Sequence, residues 1–197
     1  MKKRIIHISL TLIVVAVFAL LSFHYVLPRE NIISASIAYQ TVEQLTDKSD
    51  KIIIGTVKSS EALWFHNTSK RIQVQGWESD EERYDLKYIV TYYTVEIEEY
   101  LKGDGPKEIT VGLLGGTVRN HTFIFEDSPT LTEDEKVLLF LQPSWEEAVN
   151  YTGPDTYIIY GYYQGKYLLS NDKAINYDTS LNTKKDSLIE KVKASIE

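Results

Sequence analysis

Between Tyr88 and Leu114 the chain alternates apolar and polar residues twice over, around a break rich in glycine and proline. In YIVTYYTVEIEEYL (88–101), Val95 and Ile97 fall on one side of an extended chain, and Glu96 and Glu98 fall on the other. That period of two belongs to a sheet wet on one face; an α-helix would scatter the same residues around its circumference. EITVGLL (108–114) repeats the pattern with Ile109, Val111 and Leu113 on one face. The six residues from Lys102 to Lys107 hold Gly103, Gly105 and Pro106, which suit a tight reversal because glycine accepts positive φ and proline presets a turn. The pattern therefore predicts an antiparallel hairpin.

Glycine beside lysine also raises the question of phosphate binding. A phosphate loop needs a hydroxyl residue after its lysine and a helix behind it. Lys107 is followed by Glu108 and a strand, and Gly112, Gly115 and Gly116 lack G-x-G-x-x-G spacing. The turn reading stands, and Gly115-Gly116 is expected to allow a sharp bend.

Further strands are expected in KIIIGTVKS (51–59, with Gly55 at a bulge or close approach), FIF (123–125), KVLLFL (136–141), TYIIYGYY (156–163) and KYLLS (166–170). Ile72 and Val74 suggest a short strand in an otherwise exposed hairpin, whose acidic run is ESDEERYD (78–85). Fourteen tyrosines favour half-buried sheet surfaces over helix bundles. Turn residues recur at the spacing of an all-β barrel or sandwich. Two helices interrupt the pattern. TVEQLTDKSD (41–50) has capping-box spacing from Thr41 to Gln44, and KKDSLIEKVKASIE repeats Leu188, Val192 and Ile196 every four residues, with Ile189 alongside.

The N-terminus is set apart. Lys2, Lys3 and Arg4 precede an apolar run from Ile5 to Leu27, long enough to cross a membrane. Residues 1–29 are read as an uncleaved signal anchor, 30–38 as a tether, 39–173 as the extracytoplasmic β-domain and 174–197 as a C-terminal helical segment. The expected protein is single-pass in the cell membrane, held through residues 5–27, with the basic end inside. The alternative is secretion after cleavage near Ala38, at Ser36-Ile37-Ala38.

Four of the 21 basic residues and one of the 28 acidic ones lie in residues 1–30, leaving 17 against 27, a net charge near −10. That surface argues against nucleic acid or anionic lipid as the main partner. There is no cysteine, so no disulfide framework and no thiol nucleophile. His66 and His121, with acids such as Glu126 or Asp127, lack metal-ligand spacing. No G-x-S-x-G places a serine nucleophile. Glu96 and Glu98 share a strand face, as a glycosidase pair would, yet solvation explains them. No cofactor is expected and no catalytic constellation is recognised. The binding candidates are the aromatics Trp64, Phe65, Trp77 and Trp145, with Tyr92 and Tyr162 beside them.

The succession SDKIIIGTVKSSEALW, YTVEIEEYLKGDGPKEITVGLLGGTV, TEDEKVLLFL and YIIYGYYQGKYLL resembles a class of exported bacterial β-domains. Their shared pattern runs from a G-x-V strand through an L-K-G turn and a G-G segment. It ends in a G-E-led strand and a q-G-K hairpin. The pattern is similar to the netrin-like fold of tissue inhibitors of metalloproteinases, a five-stranded OB-type barrel, and covers residues 49–170. The resemblance implies a mainly β, small antiparallel OB-like barrel. Asp134-Glu135 stands where relatives carry Gly-Glu, so only Glu135 matches, with a turn contact as its implied role. Animal inhibitors of that fold chelate zinc through an N-terminal cysteine, which this chain lacks. The expected function is a binding module for an unknown envelope or extracellular protein or ligand. An exported hydrolase with dispersed catalytic residues and, by fold analogy, an extracellular protease inhibitor are the alternatives.

Overall fold

The computed structural model describes residues 29–33, 38–67, 86–144 and 156–196. Within them the protein is mainly β. Strands β1 (Arg29–Ile33), β2 (Lys51–Asn67), β3 (Leu86–Lys102), β4 (Glu108–Leu114), β5 (Gly116–Val118) and β6 (His121–Phe125) are followed by β7 (Lys136–Pro143) and β8 (Thr156–Ile159). A 3-10 turn at Tyr162–Gly165 leads to β9 (Lys166–Ser170), β10 (Lys173–Ile175) and β11 (Thr183–Lys184). Helix α1 (Val42–Lys48) precedes β2, and α2 (Lys185–Ala194) ends the described chain.

The larger sheet runs β11-β10-β9-β7-β2-β3-β4-β8. β7 has β2 on one edge; its other edge pairs with β9 through Val137–Leu139 and with β8 through Leu141–Pro143. β8 also runs parallel to β4. The pairings β7-β2-β3-β4-β8 thus return to β7. A second sheet, β1-β6-β5, joins β1 to β6 in parallel and β5 to β6 antiparallel.

Burial explains why some strands alternate and others do not. β2 and β7 are covered on both faces. Ile53, Val57, Val137, Leu139 and Leu141 point into one core with Val95, Ile109 and Val111. Ile52, Ile54, Leu138 and Phe140 point into another, closed by Leu45 of α1 and by Leu188 and Val192 of α2. Two-sided burial selects unbroken apolar runs such as KIIIG and KVLLFL. Each fully buried aliphatic side chain contributes roughly 1.5–3 kcal/mol, so five successive buried residues, Val137–Leu141, make β7 the central strand of the fold. β3 has solvent on part of one face, and there the alternation survives.

Local signals act as the residue types demand. Thr41 and Gln44 form the capping box of α1, and Lys191 of α2 pairs with Glu43 of α1 at 3.0 Å. The hairpin between β3 and β4 turns through Gly103 at φ 76°. At Gly55 a side chain would come within 2.6 Å of the Glu96 carbonyl oxygen, and the register shifts there. The bend at Gly115-Gly116 passes directly into β5, placing Gly116 against Thr91 and Ala62.

Three expectations change. The apolar run 156–163 is not one strand: β8 stops at Ile159, and Gly161, at φ 75°, starts the 3-10 turn. The segment 174–197 is α-helical from Lys185 to Ala194; ahead of that helix, residues 173–175 and 183–184 pair as β10 and β11, with a 3-10 turn at Thr179–Leu181 between them. Ile196 therefore lies past the helix and is exposed, whereas Leu188 and Val192 are buried. Residues 30–38, read as a tether, include most of β1, because β6 offers it an open backbone edge. The strand expected around Ile72 and Val74 lies outside the described residues, as does the run 5–27. Among the described residues no helix is long and apolar enough to cross a membrane.

Candidate functional site

Strand alternation decides what the aromatic candidates can do. Trp64 and Phe65 are consecutive in β2 and pair with Ile89 and Tyr88 of β3 without a register shift, so they point to opposite faces. Trp64 meets His121 of β6 edge-on, with ring centroids 5.3 Å apart. Phe65 stacks against Tyr88 at 5.0 Å and packs on the buried pair Val90 and Tyr92. One patch containing both is excluded. Tyr162 is exposed and stacks on Phe125 at 5.8 Å. Trp77 and Trp145 lie outside the described residues.

The face that carries Phe65 changes character along the strands. Cross-strand partners share a face, which gives the rows Phe65–Tyr88, Leu63–Val90–Leu114, Glu61–Tyr92–Gly112 and Ser59–Thr94–Thr110. The first two rows are apolar. In the last two, Ser59, Glu61, Tyr92, Thr94 and Thr110 line a shallow open groove of about 380 Å³, with Ser60 between the rows also at its wall. Gly112 carries no side chain opposite Tyr92. Hydroxyls that donate and accept, a carboxylate that accepts, and a ring edge suit a polar ligand that is neutral or cationic.

Beyond the groove, Glu96 and Glu98 are engaged. Glu96 pairs with Lys58 at 2.7 Å. Glu98 pairs with Lys136 and accepts a hydrogen bond from Thr56 Oγ1 at 3.1 Å. The Lys136 hydrogen bond holds the Glu98 carboxyl below the usual range, and Glu96 raises the Lys58 ammonium above its own. Each of these two carboxylates is thus engaged by its own lysine on the sheet surface. Among the described residues no three His, Cys, Asp or Glu side chains converge as metal ligands. His121 belongs to β6, and its ring abuts Trp64.

The q-G-K residues turn out to hold the fold together. Gln164 is fully buried; its Nε2 donates to the Ala38 carbonyl at 3.0 Å, and its Oε1 accepts from the Gln40 amide at 2.7 Å. A side chain at Gly165 would sit 1.9 Å from the Tyr160 carbonyl oxygen. Lys166 Nζ meets Glu135 Oε1 at 2.7 Å. Asn176 braces the same turn by donating from Nδ2 to the carbonyls of Tyr163, Gln164 and Lys166. Of the groove residues only Tyr92 stands out in the sequence, as one of the candidate aromatics; the serines, threonines and Glu61 do not. Their only signal was hydroxyl residues replacing apolar ones in SSE and at Thr94 and Thr110, which looks the same as an ordinary solvated face.

No family model matches the chain, and no curated protein matches it.

Proposed function

We propose that this chain is a membrane-anchored, extracytoplasmic binding module. Its ring β7-β2-β3-β4-β8 is read as a small OB-type barrel of netrin-like kind, held to the membrane through residues 5–27. A parallel β4–β8 contact and an antiparallel closure of β8 on β7 support that reading. The observation that carries the function is the hydroxyl-lined groove across β2, β3 and β4. OB-type barrels bind through their second and third strands, which correspond to β3 and β4. The partner is an envelope or extracellular molecule with a neutral or basic polar surface, because Glu61 lines the groove and the exported part is acidic.

The test is photo-crosslinking in intact cells. A photoreactive amino acid at Glu61 is expected to give a discrete adduct that the same group at Lys173, on β10, does not. Equal adducts from both positions, or none from Glu61, would reject the groove as the binding face. Intact mass of the extracted protein separates the anchored form from one cleaved near Ala38. The hydrolase and protease-inhibitor alternatives have no observation of their own in the described residues.

A further inference from the structure

β1 begins two residues after the apolar N-terminal run ends. Leu27 closes the run and Arg29 opens the strand, so at most about 7 Å of extended chain lies between them. β1 is hydrogen-bonded to β6 in parallel, with Arg29 level with His121. Adjacent strands lie about 4.8 Å apart, which ties the β5–β6 turn, Arg119 and Asn120, to the place where the apolar run ends.

The chemistry at that end of the sheet is distinctive. Trp64 packs against His121 and keeps 39% of its surface exposed. Arg119 is exposed at the tip of the turn, at φ 57°. Trp64 and His121 are thus in contact, and Arg119 lies two residues before His121, in an exported part whose net charge is near −10. Tryptophan with basic side chains just outside an apolar segment is the composition of a membrane–water interface.

We infer that Trp64, His121 and the Arg119–Asn120 turn rest in the phospholipid headgroup layer of the membrane that holds residues 5–27. The inference depends on the anchor reading proposed above. It gives the domain one seated orientation where a flexible tether would let it swing.

The full-length chain with Trp77→Phe and Trp145→Phe leaves Trp64 as the sole tryptophan emitter. It is reconstituted into vesicles of phosphatidylcholine and phosphatidylglycerol, with or without bromine on the acyl chains, and washed in alkaline carbonate. The expected result is retention, with Trp64 emission cut by about half in brominated vesicles, as for a ring at the headgroup–acyl boundary. Adding Arg119→Glu should weaken that quenching at least about twofold, through lost attraction to the anionic lipid. Retention without quenching, or equal quenching with Arg119→Glu, overturns the seating and leaves the anchor reading intact. Release by the wash overturns both. If the double phenylalanine variant does not fold, Asn120→Cys labelled with an environment-sensitive dye gives the same readout, since the chain has no other cysteine.

Discussion

Lys166 Nζ lies 2.7 Å from Glu135 Oε1, and both side chains are largely buried, 17% and 13% exposed. Lys166 also donates to the Thr130 carbonyl, so one ammonium ties the start of β9 to the turn that enters β7. Among the described residues that Glu135 oxygen accepts no hydrogen bond, and it faces Lys166 as an ion pair. Removing either partner would strand a charge out of water. Glu135→Ala and Lys166→Met are each expected to cost about 2–3 kcal/mol, and the double variant less than their sum. Denaturant unfolding of the four proteins measures the coupling; additive losses would show that the pair contributes no mutual stabilisation.

Asp134, beside that pair, has φ 66°, a left-handed conformation that costs a non-glycine residue roughly 1 kcal/mol. Its amide donates to the Val57 carbonyl at 2.9 Å, and the Val57 amide donates to the Glu135 carbonyl at 3.0 Å, so the backbone cannot relax freely. Asp134→Gly is expected to raise stability by a few tenths to about 1 kcal/mol. A loss on thermal unfolding would mean that the aspartate side chain contributes more than its conformation costs.

Gln164 anchors the chain ahead of α1 through both ends of its amide. Gln164→Leu preserves the volume and removes both bonds. Unpaired polar groups should then cost about 1–3 kcal/mol. Hydrogen exchange should locate the loss, with the Gln40 amide exchanging faster while β7 amides shift only with global stability. Unchanged protection at Gln40 would contradict the anchoring role.

Burial pushes the Tyr167 phenol up to about 12. Tyrosine is neutral when protonated, so a raised folded value means that the folded state holds this proton more tightly than the unfolded chain does. Its contribution is present below about pH 10, the ordinary phenol value, and is lost as pH rises toward 12. Alkaline unfolding between those limits should be shallower in Tyr167→Phe. Tyr93, also raised by burial, accounts for a remainder, and an unaltered profile in Tyr167→Phe would discount Tyr167.

Much of this architecture was legible in the chain itself. Alternation in 88–101 and 108–114, the Gly103–Pro106 turn and the Thr41–Gln44 box encode β3, β4, their hairpin and the cap of α1, because these depend on neighbours within a few residues. Even the glycine at position 55 could be read as a close approach. What no local pattern contains is which strand edge meets which. The parallel contacts β4–β8 and β1–β6, and the meeting of Glu135 with Lys166, join residues distant in sequence, and their formation depends on the whole chain closing. The groove follows the same division. Hydroxyl residues on a strand read as solvated surface, and only the registry of β2, β3 and β4 gathers them onto one face. Trp64 and Phe65, adjacent in sequence, are separated for the complementary reason: an extended backbone sends neighbours to opposite sides, and tertiary packing gives each side a different fate.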